Sequence, residues 1–127
     1  MEKIESHLKG RYRVFFDSAP LIYYFEDHPH YAPVVDRVLQ LIDRGEITGC
    51  TSVVTLIELL TKPLKEHNEL LAEEYERVLI GARGFRVLDV TAKIGAMAAR
   101  LRARYGLKTP DAIQIAVAIA SKCDDHK

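Results

Sequence analysis

The alternation of apolar and polar positions divides the chain into short β-favouring runs, each followed by stretches of helical period. Val14, Phe15 and Phe16 form the first apolar run. They predict a short buried strand over 13–16 that runs straight into a carboxylate, Asp17. Ser18 is placed as a helix N-cap and Pro20 in the first turn, with a short helix over 21–25. The segment EDHPH, broken by Pro29, reads as a loop. Between Tyr31 and Arg44, apolar residues fall at Val34, Val35, Val38, Leu39, Leu41 and Ile42. That spacing predicts a helix, and Gly45 is its natural stop. EITGCTS supplies a second strand, with Thr51 or Ser52 capping the next helix. That helix, VVTLIELLT, is apolar around most of its circumference, so it is expected to be well buried and to end at Pro63.

The spacing predicts a further helix over 66–80, acidic on its outer face through Glu66, Glu69, Glu73, Glu74 and Glu76. After the break at Gly81 and Gly84, FRVLDV reads as a third strand. A helix over 92–105 closes at Gly106. TPDAIQIAVAIAS opens the last helix, with Thr109 as N-cap and Pro110 at its first position, and runs to about Ser121. Strands alternating with helices predict an α/β chain: a short parallel sheet in a three-layer α/β/α arrangement.

Composition narrows the class. The chain has 127 residues, 48% hydrophobic and 28% charged, which is ordinary for a globular protein. The length suits one domain over 1–127, with a polar N-terminal extension over 1–10. Formal net charge is zero, so binding to nucleic acid must come from a local patch. Two cysteines, Cys50 and Cys123, cannot build a disulfide framework, and a reducing, cytoplasmic setting is expected. No stretch approaches the ~20 apolar residues that span a bilayer, and MEKIESHLKG lacks an apolar signal core. No membrane association is expected.

Three acids stand in positions that need explaining. Asp17 lies at the carboxyl end of the first strand, the edge where open parallel sheets bind ligands. Glu58 lies in a helix beside Ile57, Leu59 and Leu60. Asp111 lies in the first turn of the last helix. Each has an ordinary alternative: Asp17 as a turn or cap residue, Glu58 in a buried salt bridge, Asp111 complementing the helix dipole. If the three converge, they cannot all stay ionised without a counter-charge. A divalent cation that prefers oxygen, Mg²⁺ or Mn²⁺, supplies it. Such a centre suits phosphodiester hydrolysis, by activating water and neutralising charge on phosphate oxygens.

Lys93, Arg100, Arg102, Arg104 and Lys108 precede Asp111 without an intervening acid. They are either a solvated helix face or phosphate contacts. Arg100 and Arg104 share a face at one-turn spacing and, with Lys108, are the RNA-binding candidates. Ser18 and Thr109 are supporting candidates beside the acids, with simple capping as the alternative for each. His28 and His30 lack a third ligand and read as a solvated loop. Tyr23, Tyr24 and Phe25 read as core or dimer surface.

The ordered segments FFDSAPLIYYFE, TSVVTLIELLTKPL, FRVLDVT and ARLRARYGLKTPDAIQIAVAIA resemble those of the PIN-domain nucleases, most closely the VapC-type toxins of toxin–antitoxin pairs. The likeness runs from about Arg13 to Ala120. It implies that Asp17, Glu58 and Asp111 are the catalytic and metal-holding acids of a Mg²⁺- or Mn²⁺-dependent endoribonuclease. It further implies RNA as substrate, a homodimer, and a cognate antitoxin lying across the active-site groove. The family usually continues into a further strand with a TND-like sequence. By spacing, that position falls two or three residues beyond Lys127, and Asp124 and Asp125 come too early to fill it. The final strand or strands are therefore expected to be missing from this chain, leaving the first strand at a sheet edge. That departure motivates a second reading, a PIN-like module that binds protein or RNA without catalysis. A phosphoacceptor receiver domain is disfavoured, because its paired acid and late lysine are absent. Ala19 stands where a haloacid-dehalogenase-type phosphatase needs its second acid.

Overall fold

The computed structural model describes residues 12–124, with the side chains of 123 and 124 outside the described set. The polar stretch 1–10 and Asp125 fall outside the described residues. Three strands, β1 (Arg13–Phe15), β2 (Thr48–Ser52) and β3 (Phe85–Leu88), alternate with six helices. The helices are α1 (Ser18–Phe25), α2 (Ala32–Asp43), α3 (Val53–Lys65), α4 (Glu69–Gly81), α5 (Ala92–Tyr105) and α6 (Thr109–Asp124). The strands pair in the order β1-β2-β3, all parallel. Among the described residues β1 is thus an edge strand. Its three residues are half-buried rather than buried, and the deeply buried position is Phe16, just after it.

A large apolar cluster joins Phe16, Leu21, Val35, Ile42, Leu59, Leu79 and Phe85 from the end of β1, α1, α2, α3, α4 and β3. Phe16 and Phe85 meet as a tilted ring pair, centroids 5.6 Å apart. A second cluster, centred on Ala98, Ala112 and Ala116, packs α5 against α6. Helix α6 in turn packs on β1 and β2. Gly49 lies in β2 under Ile42 and Phe85: an added Cβ would stand 2.6 Å from Ile42 Cδ1 and 2.8 Å from Phe85 Cδ2. Gly49→Ala is therefore expected to cost about 1–3 kcal/mol through overpacking. Urea unfolding checks this, and a neutral variant would contradict the close approach.

Several local expectations are corrected. The helix over 66–80 begins at Glu69, because His67 adopts a left-handed φ of 59° and Asn68 caps through its side chain. Pro63 does not end α3 but sits inside its last turn. The carbonyl of Pro63 accepts from Asn68 N, so the chain turns a few residues later than the proline. Helix α3 is also less buried than its composition suggests. Ile57 is 63% exposed and Leu64 42%, because the helix presents one face to the core and the other to solvent. The terminators Gly45, with φ of 78°, and Gly106, with φ of 68°, stand as expected.

Candidate active site at the carboxyl edge of the sheet

The carboxyl ends of β1 and β2 carry hydroxyl side chains where apolar ones would be expected. Ser18, Thr51, Ser52, Thr55 and Gln114 are all buried, and they satisfy one another. Ser52 donates to Gln114 Oε1 at 2.5 Å. The Gln114 amide donates to Thr55 Oγ1 at 2.9 Å and to Ser18 Oγ at 3.2 Å. Thr51 donates to the carbonyl of Phe16 at 2.6 Å. Ser18 donates to Glu58 Oε1 at 2.6 Å, a charge-assisted bond. This polar knot ties β1, β2, α1, α3 and α6 together at one end of the sheet.

The three candidate acids rim the knot. Asp17 immediately precedes Ser18, and its side chain accepts from Ala19 N at 3.1 Å. Asp17, not Ser18, is the N-cap of α1. Its extended backbone, φ −81° and ψ −173°, turns the side chain back onto the first amides of the helix. Ser18 is then the first helical residue and is free to reach Glu58. Glu58 is exposed rather than buried, so the buried-salt-bridge alternative does not apply to it. Asp111 is exposed in the first turn of α6, one turn before Gln114. Among the described residues, none of the three enters an ion pair. Asp17 Oδ2, Glu58 Oε2 and both oxygens of Asp111 have no hydrogen-bond partner there.

The elements bearing the acids converge, but the carboxylates themselves do not close into a cluster. Among the described residues, no three His, Cys, Asp or Glu side chains stand close enough to share a metal ion. The donor set nonetheless fits a hard cation. Among the described residues it consists of exposed carboxylate oxygens without protein partners, with neither thiolate nor imidazole among the three candidate acids.

The basic residues lie on α5 and the turn after it. Arg100, Arg104 and Lys108 are exposed. The Arg104 guanidinium lies 5.4 Å from the Tyr105 ring centroid. Arg102 instead braces the turn, since its Nε donates to the carbonyl of Leu107 at 3.0 Å. Thr109 is exposed and is the first residue of α6 rather than its cap. The carbonyl of Lys108 accepts the first helical bond, from Ala112 N. The histidine pair is not a ligand set, since His28 Nδ1 accepts from the amides of His30 and Tyr31.

Sequence reasoning does not single out Gln114, Ser52, Thr51 or Thr55 as members of a polar site. The one signal it offers is Gln114, a polar residue in the otherwise apolar stretch AIQIAVAIA. The PIN domain pattern matches residues 14–124. No curated protein matches the chain. Among solved structures, a toxin–antitoxin complex from Klebsiella pneumoniae is similar at 24% identity with a TM-score of 0.62, covering 86% of this chain and 80% of that one. VapBC2 from Rickettsia felis, bound to a promoter DNA fragment, is similar at 19% identity with a TM-score of 0.69, covering 87% and 83%.

Proposed function

The chain belongs to the PIN-domain family, and on that premise we propose that it is a Mg²⁺- or Mn²⁺-dependent endoribonuclease, the toxin of a toxin–antitoxin pair. The observation that carries this reading is the set of three exposed acids around one polar knot, each with oxygen atoms that no group engages among the described residues. Asp17, Glu58 and Asp111 would hold the ion, which when bound supplies an activated water and charge neutralisation at the scissile phosphate. Ser18 orients Glu58. Asp17 is fixed by its capping bond, and Asp111 is presented by the first turn of α6. Arg100, Arg104 and Lys108 bind the RNA backbone by charge, and Thr109 supports Asp111 at the start of the helix.

The partner in this reading is a cognate antitoxin. It is supported by the structural neighbours, which are a toxin–antitoxin complex and VapBC2. A homodimer and a cytoplasmic setting belong to the same reading. Among the described residues, no helix is long and apolar enough to cross a membrane. A second reading, a PIN-like binding module without catalysis, is favoured by the absence of a closed three-ligand cluster among the described residues.

RNA cleavage decides between them. Wild-type protein incubated with structured RNA and Mn²⁺ is expected to cut internally, and excess chelator to stop it. Raising the salt should reduce cleavage steeply, as phosphate contacts demand. A folded protein that leaves RNA intact at millimolar Mg²⁺ and Mn²⁺ would overturn the enzyme reading in favour of the binding module.

A further inference from the structure

The proton order in the polar knot is set by valence. Glu58, as a carboxylate, can only accept, so the single proton of Ser18 goes to Glu58 Oε1. Ser18 Oγ can then only accept, and two groups stand 3.2 Å away to donate to it: the Gln114 amide and the Thr55 hydroxyl. The Gln114 amide must therefore turn its nitrogen toward Ser18 and Thr55 and its oxygen toward Ser52. Ser52 has its own reason to point that way. Its oxygen already accepts from Val54 N, leaving its proton for Gln114. A flipped amide would leave Ser18 Oγ facing an oxygen with no proton between them, and would cost Ser52 its acceptor. Both amide protons and the carbonyl of Gln114 are used, and the residue is 7% exposed.

We infer that Gln114 is a positioning residue for the candidate metal site: by donating to Ser18 Oγ it holds that hydroxyl where its proton meets Glu58, and so helps to fix the carboxylate at the sheet edge. This rests on the metal-dependent reading above. Gln114 makes no hydrogen bond to any of the three acids. It acts through Ser18, across a contact that spans 96 residues of sequence. Outer groups that orient a metal-holding side chain typically change metal affinity 10–100-fold when removed.

The test is Mn²⁺ binding by calorimetry on the full chain without RNA, using wild type, Gln114→Met, Ser18→Ala and the double variant. Methionine keeps the length and bulk of glutamine without its donors. Gln114→Met and Ser18→Ala are each expected to weaken Mn²⁺ binding about tenfold. The double variant is expected to be no weaker than Ser18→Ala alone, because one relay has been cut twice. A packing role would lower the melting temperature but leave Mn²⁺ affinity unchanged. That outcome, or losses that multiply in the double variant, overturns the inference. If wild type binds no Mn²⁺, the metal reading falls and takes the inference with it. If wild type binds and Gln114→Met binds equally, only the inference falls.

Should Gln114→Met not fold, wild-type protein labelled with ¹⁵N serves instead. The Gln114 side-chain NH₂ resonances should shift on Mg²⁺ addition and stay fixed in Ser18→Ala. Resonances that ignore Mg²⁺ in the wild type would overturn the relay.

Discussion

Asp17→Asn is expected to lower RNA cleavage by at least about 100-fold while leaving the fold unchanged, since it removes charge from the candidate metal set. The side chain has two separable roles. As N-cap it needs only an acceptor oxygen for Ala19 N, and asparagine caps about as well as aspartate. As a candidate cation holder it needs negative charge, which asparagine lacks. Stability within about 0.5 kcal/mol of wild type, together with collapsed cleavage at every Mn²⁺ concentration, is the expected pair of results. Cleavage within a few-fold of wild type would remove Asp17 from the mechanism and leave it a cap. The same assay on Glu58→Gln and Asp111→Asn completes the set.

The second large effect concerns Phe16. It is 5% exposed, packs its ring against Phe85 and belongs to the main apolar cluster. Its amide donates to the carbonyl of Cys50 at 2.8 Å, and its carbonyl accepts from Thr51. Phe16→Ala is expected to cost about 3–5 kcal/mol, from lost transfer energy plus a cavity. That is a large share of the roughly 5–15 kcal/mol that holds a domain folded. The urea midpoint should fall with little change in slope. Because Phe16 anchors the backbone immediately before Asp17, the nuclease reading expects cleavage by the surviving folded fraction to drop as well. A loss below about 1 kcal/mol would mean that the ring is not the keystone its burial indicates.

The two residues also show what is legible in the sequence. The run ending in Phe16 marks a strand, and the acid after it marks the sheet edge, because period and breaker signals are local. The alternation of elements, the parallel sheet and the helix over 92–105 follow from the same local signals. Details set by tertiary contacts do not. Composition makes α3 look buried all round, yet only the packing of its neighbours decides which face meets water, and Glu58 lies on the wet one. Two adjacent capping residues, Asp17 and Ser18, are equivalent by propensity. The choice falls to Asp17 because Ser18 finds Glu58 across 40 residues. Gln114 escapes notice because it carries no charge. Its importance comes from three partners, the hydroxyls of Ser18, Ser52 and Thr55, none of them near it in sequence.

Both strand pairings are parallel and non-local. Thr51 reaches Phe16 across 35 residues, and β3 joins β2 by a helical crossover. Among the described residues no hairpin exists to start the sheet, so closing long loops precedes any reward from pairing, which slows folding. The consequence falls on a chain still emerging from the ribosome. Asp17 and Glu58 are synthesised early, and the helix bearing Asp111 and Gln114 follows them. On the nuclease reading proposed above, a nascent polypeptide lacking that helix is chemically harmless, and the cell that makes it meets a competent enzyme only after α6 has docked.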